Sequence, residues 1–424
     1  MKVTLAYGKS GLDVKLPDEN IVKILKMKSS KPIENPLDVL PEMLENPIST
    51  SPLSQLASEK KSACVVICDI TRPVPNRILL PPILSSLEIG GIPREKVTIL
   101  IATGIHRPNL GDELVYLAGE DIARTYRIVN HYAKKRDEQS FLGRTTRGTE
   151  VFIDSTYIKS DLKITTGFIE PHLMAGFSGG RKLICPGISG LDTVKVMHSP
   201  KILEHPKACE GSIEGNPFHE EALEIAKLAG VDFIVNVALD EKRRITGIFA
   251  GDLELAHEKG VEHVRQFVSD TVEKPVDVVI TTSAGYPLDA TFYQAIKGLT
   301  AALPVVKKGG TIILASECSE GLGSPEFSQL VRETKDMEVF MSNIMKPDYF
   351  VVDQWQFEEL AKAMRKAEVM LVSSGISKSD SEKMLPTCVN TVETAIQMCF
   401  EKYSPNMSIV VIPKGPYILS QIAA

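Results

Sequence analysis

The chain has 424 residues, of which 43% are hydrophobic and 24% charged, with a formal net charge of -6. This is the balance of a globular protein too long for one ordinary core, so two domains are expected. A mildly acidic chain does not build the basic face that nucleic acid requires, and no apolar run reaches the length of a membrane span, so neither a nucleic-acid partner nor a membrane is expected.

The first fifteen residues, MKVTLAYGKSGLDVK, form an amphipathic, strand-like pattern without the apolar core of a signal peptide, from which a cytoplasmic protein is expected. A helix is predicted over 17–27, then a proline-punctuated connection over 32–52. CVVICDI (64–70) is a continuous apolar run of buried-strand type. A TRPVPN loop and a helix over 77–87 follow. Further strands are predicted over 96–104, 126–132, 149–157 and 161–167, with a helix over 110–118 between the first two. A helix over 216–228, a strand pair over 231–239 and 243–251, and a helix over 253–268 complete this half. The polar stretch VSDTVEKP (268–275) reads as a boundary. A second series then places strands over 276–283, 310–316, 368–375 and 408–415, with helices between them that include 357–367 and 390–400. The strand–loop–helix rhythm predicts an α/β fold of two domains, 1–272 and 273–424, each with a mainly parallel sheet flanked by helices.

Seven cysteines are scattered, with no Cys-x-x-Cys pair to suggest a zinc site. Cys64 and Cys68 share one strand, roughly 13 Å apart, too far for a disulfide. Buried free thiols are expected.

The polar residues gather at strand ends. In open α/β sheets ligands bind beyond the carboxyl ends of the strands. The run over 64–70 is followed by Thr71 and Arg72 and contains Asp69. The strand over 96–104 leads into His106 and Arg107. The strand over 276–283 leads to Tyr286, Asp289, Tyr293, Gln294 and Lys297. The strand over 161–167 opens ITTGFIEPHLMAGFSGGRKLICPG (164–187), where five glycines surround His172, Arg181 and Lys182. Together these tips indicate a site for an anion at the domain junction.

Each residue has a use and a plain alternative. Arg72 can hold a carboxylate or phosphate by two parallel hydrogen bonds. Lys297 can add a second charge, or be a solvated helix residue. His106 and His172 can each move a proton near neutral pH, or be hydrogen-bonded loop residues. His198, at a predicted helix end, is either a favourable cation there or a ligand for nickel or zinc. Lys182 follows a glycine-rich turn that departs from the Gly-Lys-Ser/Thr of a nucleotide-triphosphate loop, and can serve as a covalent attachment point. Trp355 is the only tryptophan and suits core or pocket wall. The other five histidines read as structural or solvent-facing.

The motifs DITRPVP (69–75), ATGIHRP (102–108), GFIEPHLMAGFSGGRKLICPG (167–187), VMHSP (196–200) and YQAIKG (293–298) together resemble the nickel-pincer lactate racemases over essentially the whole chain. The resemblance implies a racemase that interconverts D- and L-lactate, or a related 2-hydroxy acid, by reversible hydride transfer through a bound 2-keto acid. It implies a pyridinium-3,5-bisthiocarboxylic acid mononucleotide cofactor linked to Lys182, with nickel bound by His198. It implies His106 and His172 as proton-transfer residues. Arg72, Tyr293, Gln294, Lys297 and Trp355 would contact the substrate, and Asp69 and Thr71 the cofactor. Cofactor-biosynthesis proteins would be needed for activation. Three other readings stay open: a pyridoxal-phosphate racemase with Lys182 as Schiff base, a zinc hydrolase using His106, His172 and His198, and a non-catalytic binder of phosphorylated ligands.

Overall fold

In the computed structural model, which describes residues 1–346 and 348–423, the apolar runs become the central strands of two six-stranded sheets. Ala63–Cys68 is buried at every residue, as a strand covered on both faces must be. It pairs in parallel with Val97–Ala102 on one side and Leu162–Phe168 on the other. Arg127–Asn130 extends the sheet beyond Val97–Ala102. Phe233–Leu239 adds in parallel beyond Leu162–Phe168, and Ile245–Gly251 closes that edge antiparallel. The helix Asn76–Ile89 packs here through Leu79, Leu80, Ile83, Leu84 and Leu87, the spacing of one helical face.

The second sheet is parallel throughout, in the order Thr387–Val389, Ala367–Val372, Val306–Ala315, Val276–Thr282, Ile409–Ile412, Ile21–Ile24. The fold is therefore the expected two-domain α/β architecture with helices on the sheets.

Two expectations are corrected. The helix over 17–27 does not form. A 3-10 turn at Asp18–Asn20 leads into the strand Ile21–Ile24, where Ile21, Val22 and Ile24 suit an edge position beside Ile409–Ile412. That pairing also carries the chain's start to the second sheet. The hairpin of Lys2–Leu5 and Leu12–Lys15 buries Val3, Leu5 and Val14 in the second half's core, so the chain's start belongs with its end. Ser269–Val272 likewise pairs with Leu419–Ile422. The strand expected over 149–157 is Glu150–Asp154, which joins Gln139–Arg144 in a separate antiparallel ribbon rather than the main sheet.

All seven cysteines are free thiols; five are buried, Cys388 is partly buried and Cys209 is exposed. No helix among the described residues is long and apolar enough to cross a membrane.

Candidate functional site

The stretch after Leu162–Phe168 folds back on itself. Pro171–His172 pairs antiparallel with Gly176–Phe177. Ser178 closes the loop: its Oγ donates to the Phe168 carbonyl at 2.8 Å and accepts from the Glu170 N–H at 3.0 Å. The turn that follows needs glycine. Gly179 and Gly180 have φ of +79° and +51°, and a Cβ on Gly179 would lie 2.6 Å from Asn236 Oδ1. That oxygen accepts the Gly180 N–H at 2.7 Å, tying the turn to the neighbouring strand.

The two cations leaving the turn part company. Arg181 is 1% exposed and points inward. Its Nη2 donates to the carbonyls of Ala175 at 2.7 Å and Phe177 at 2.9 Å, and burial lowers its pKa to about 9. It is an internal brace for the loop. Lys182 faces a cavity of about 170 Å³ whose lining comes from both halves of the chain.

That cavity brings together Asp69, Arg72, His106, His172, Lys182, His198, Tyr293, Gln294, Lys297 and Trp355. Thr71 is exposed and does not line it; its hydroxyl donates to Asp69 Oδ1 at 2.7 Å. Arg107 pairs at the surface with Glu113, and Asp289 is spent on the backbone N–H groups of Gly8 and Glu317. Tyr286 lines a separate cavity of about 200 Å³. The loop carrying His106 is held to the central turn by Gly104 N–H donating to the Gly187 carbonyl at 2.9 Å.

The three histidines of the site differ. His106 stands at the cavity mouth with 41% of its side chain exposed, and its Nδ1 meets Asp69 Oδ2 at 2.8 Å. Burial pushes the Asp69 carboxyl up, but the hydrogen bond and charge of His106, with Arg72 and Thr71, bring it below the usual range. Asp69 thus accepts the Nδ1 proton and leaves Nε2 of His106 without a protein partner. His172 is deep. Its Nδ1 accepts from the N–H groups of Met174 and Ala175 at 3.2 Å each, and its Nε2 lies 3.0 Å from Lys182 Nζ. Burial, then the charges of Lys182, Arg72 and Lys297, hold its pKa well below the usual value. His198 caps the C-terminal end of Leu191–Met197, with Nδ1 2.9 Å from the Val194 carbonyl. The ring proton sits there, so Nε2 keeps a free lone pair; the imidazole ring lies edge-on to Phe218 and tilted against Trp355, with centroids 5.3 and 4.9 Å away.

The cations are far from solvent yet reach the cavity, which is why Lys182 and Lys297 remain partly accessible. Burial and the neighbouring guanidiniums push the pKa of Lys182 well down, and burial with Arg72 lowers that of Lys297. No carboxylate among the described residues forms an ion pair with Arg72, Lys182 or Lys297. No group of three or more His, Cys, Asp or Glu side chains able to hold a metal ion occurs among the described residues. His106, His172 and His198 therefore do not make the donor set a zinc hydrolase needs.

The second half supplies the far wall. Tyr293 and Lys297 sit in the short helices Phe292–Ala295 and Lys297–Thr300, and Trp355 opens the helix Gln354–Lys366. Trp355 Nε1 donates to Tyr293 Oη at 3.2 Å.

Sequence reasoning missed four members of this neighbourhood. Phe218 lies under Lys182, 5.2 Å from Nζ to ring centroid, but reads in sequence as one more apolar helix residue. Asp353 accepts from Ser324 Oγ at 2.5 Å beside Tyr293; its φ of +69° carries no sequence signal. Gln356 lines the cavity with its Nε2 unpartnered. Glu170 stands within the field of Arg72, Lys297 and Lys182, and burial raises its pKa. Its place two residues before His172 was the available signal.

Known proteins resemble this chain along its length. Residues 7–211 match the lactate racemase N-terminal domain and residues 271–419 the lactate racemase C-terminal domain. The lactate racemase of Thermoanaerobacterium thermosaccharolyticum is 36% identical over 421 residues, covering 98% of each chain. That of Lactiplantibacillus plantarum is 33% identical over 418 residues, covering 97% of this chain and 98% of that one. The structure of the Thermoanaerobacterium apoprotein superposes with a TM-score of 0.93, covering 99% of this chain and all of that one. A Thermotoga maritima protein, 19% identical with a TM-score of 0.68 over 94% of this chain and all of that one, shares the fold.

Proposed function

The chain belongs to the lactate racemase family, and on that premise we propose that it interconverts the enantiomers of lactate, or of a closely related 2-hydroxy acid, in the cavity between its two sheets. As a member of that family it is an isomerase. The observation that carries the reading is one cavity lined by Arg72, Lys182 and Lys297, none of them in an ion pair, together with His106, His172 and His198.

The residues fit the family's nickel-bearing pyridinium cofactor. His198 offers one free imidazole nitrogen, and among the described residues no group of three or more His, Cys, Asp or Glu donors gathers around it, which suits a metal whose other donors arrive with the cofactor. Lys182, pushed toward its neutral amine form, suits a covalent link. When bound, the cofactor supplies an acceptor for the C2 hydrogen as hydride and returns it to either face.

The protein's part is position and proton handling. Arg72 and Lys297 bind the substrate carboxylate, and an anion arriving beside Lys297 favours its charged form. Gln294 Oε1, which has no partner among the described residues, is placed for a substrate hydroxyl. His106 takes the hydroxyl proton at Nε2 while Asp69 holds Nδ1–H, the orientation logic of a carboxylate–histidine pair. His172 serves the opposite enantiomer. Its Nε2 must first give up the ring proton, exchanging two Nδ1 bonds that at 3.2 Å are at the long end of the range. Tyr293 and Trp355 wall the site, and because Tyr293 Oη accepts from Trp355 Nε1, its own O–H stays available toward the substrate.

A histidine, and His172 all the more with its pKa held below the usual range, is mismatched to a C2 proton but suited to a hydroxyl proton as the C2 hydrogen leaves as hydride. Lactate deuterated at C2, turned over in ordinary water by cofactor-loaded enzyme, should therefore keep its deuterium in both enantiomers. Rapid exchange with solvent would overturn the reading in favour of proton abstraction at carbon, the pyridoxal-type alternative.

A further inference from the structure

Hydrogen-bond accounting around His172 determines the state of Lys182. Two backbone N–H groups point at Nδ1, so Nδ1 carries no proton. A neutral ring then holds its proton on Nε2. Nε2 lies 3.0 Å from Lys182 Nζ, and an Nε2–H at that distance requires an acceptor. An ammonium group has no lone pair to accept with; an amine does. This tautomer pairs with a neutral Lys182, and burial next to Arg181 and Arg72 works in the same direction.

A neutral amine deep in a cavity with unpaired cations is a carbonyl nucleophile. We propose that Lys182, in the chain without its cofactor, forms an imine with small 2-keto acids, the acid's carboxylate lying on Arg72 and Lys297. The choice of acid rests on the racemase reading, in which the same cavity accepts 2-hydroxy acids. The Nζ–C2 bond forms, the C2–O bond breaks, and both amine protons leave with that oxygen as water, relayed through the His172 ring. No oxidant or reductant is involved. Phe218 lies beside both groups, its ring centroid 5.2 Å from Lys182 Nζ and 6.5 Å from that of His172, and walls the amine on that side. The imine occupies the nitrogen that the cofactor would use, and its hydrolysis restores both amine and acid.

The test uses full-length chain produced without cofactor, incubated with pyruvate and sodium cyanoborohydride at neutral pH and analysed by peptide mass spectrometry. One reduced pyruvate unit should appear on Lys182 at least ~10-fold faster than on any surface lysine, because a surface lysine of ordinary pKa, ~10.4, is almost wholly protonated at neutral pH while Lys182 faces His172 as a free amine. Acetone, which has the carbonyl but no carboxylate, should label Lys182 much more slowly. Arg72→Met, checked for folding by circular dichroism, should remove the preference for pyruvate. Labelling spread evenly over surface lysines, an unmodified Lys182, or equal labelling by acetone and pyruvate would each overturn the proposal. Such a failure leaves the racemase reading standing, since that reading is tested on loaded enzyme by deuterium retention. Conversely, trapping at Lys182 with deuterium washout would sink the racemase mechanism and keep the imine.

Discussion

Replacing Asp69 tests how His106 is made ready for proton transfer. Asp69 is 4% exposed, its Oδ2 lies 2.8 Å from His106 Nδ1, and its Oδ1 accepts from Thr71 at 2.7 Å. Asp69→Ala removes a hydrogen bond with an ionised acceptor, worth ~1.5–3 kcal/mol, or roughly 10- to 150-fold in rate. Thr71 is exposed and can turn to water, so its lost bond adds little. Asp69→Asn keeps the shape but presents an amide N–H to Nδ1, moving the ring proton to Nε2 and blocking it as a base. In the equivalent arrangement of serine proteases that swap costs ~10⁴. Asn should therefore be worse than Ala, the reverse of what lost packing predicts. Initial rates from each enantiomer, measured by chiral chromatography at equal nickel and cofactor content, give the ratio. The ¹⁵N shifts of the His106 ring report the tautomer independently of activity. Wild-type turnover in Asp69→Asn, or an unchanged Nδ1–H tautomer, would refute the reasoning.

Three further outcomes are expected. Active protein should carry a covalent adduct on Lys182 and about one nickel; His198→Ala should lose nickel while keeping the adduct, and fully active enzyme with unmodified Lys182 would contradict the assignment. Arg72→Ala should cost roughly 2–5 kcal/mol in kcat/KM, with Arg72→Lys recovering only part because a single ammonium cannot reproduce the two-pronged contact; a Lys variant equal to wild type would remove Arg72 as the carboxylate anchor. Gly179→Ala should lower Tm and slow cofactor attachment together, since the backbone has φ +79° and the added Cβ meets Asn236 Oδ1 at 2.6 Å and the Phe168 carbonyl at 3.1 Å; an unchanged melting curve would show that the turn relaxes freely.

Much of the architecture was legible from residue order because it rests on local chemistry. Runs such as CVVIC are too apolar to be half-exposed, and their spacing between helical patterns allows little besides parallel sheets. The polar tips were legible for the same reason: a strand end followed by Arg72 or His106 is readable within a few residues. What needed tertiary structure is what depends on partners distant in the chain. Ile21–Ile24 is a strand only because Ile409–Ile412 offers it an edge some 390 residues on. Arg181 and Lys182 are adjacent cations in sequence, yet one is spent on Ala175 and Phe177 and the other faces the cavity, a choice made by the φ values of Gly179 and Gly180 and the grip of Asn236. Phe218 and Asp353 reached the site from helices whose sequences mark only a buried face and a turn. How Lys182 meets His172 depended on where two backbone N–H groups pointed at the ring, a matter of ångströms that residue types do not encode.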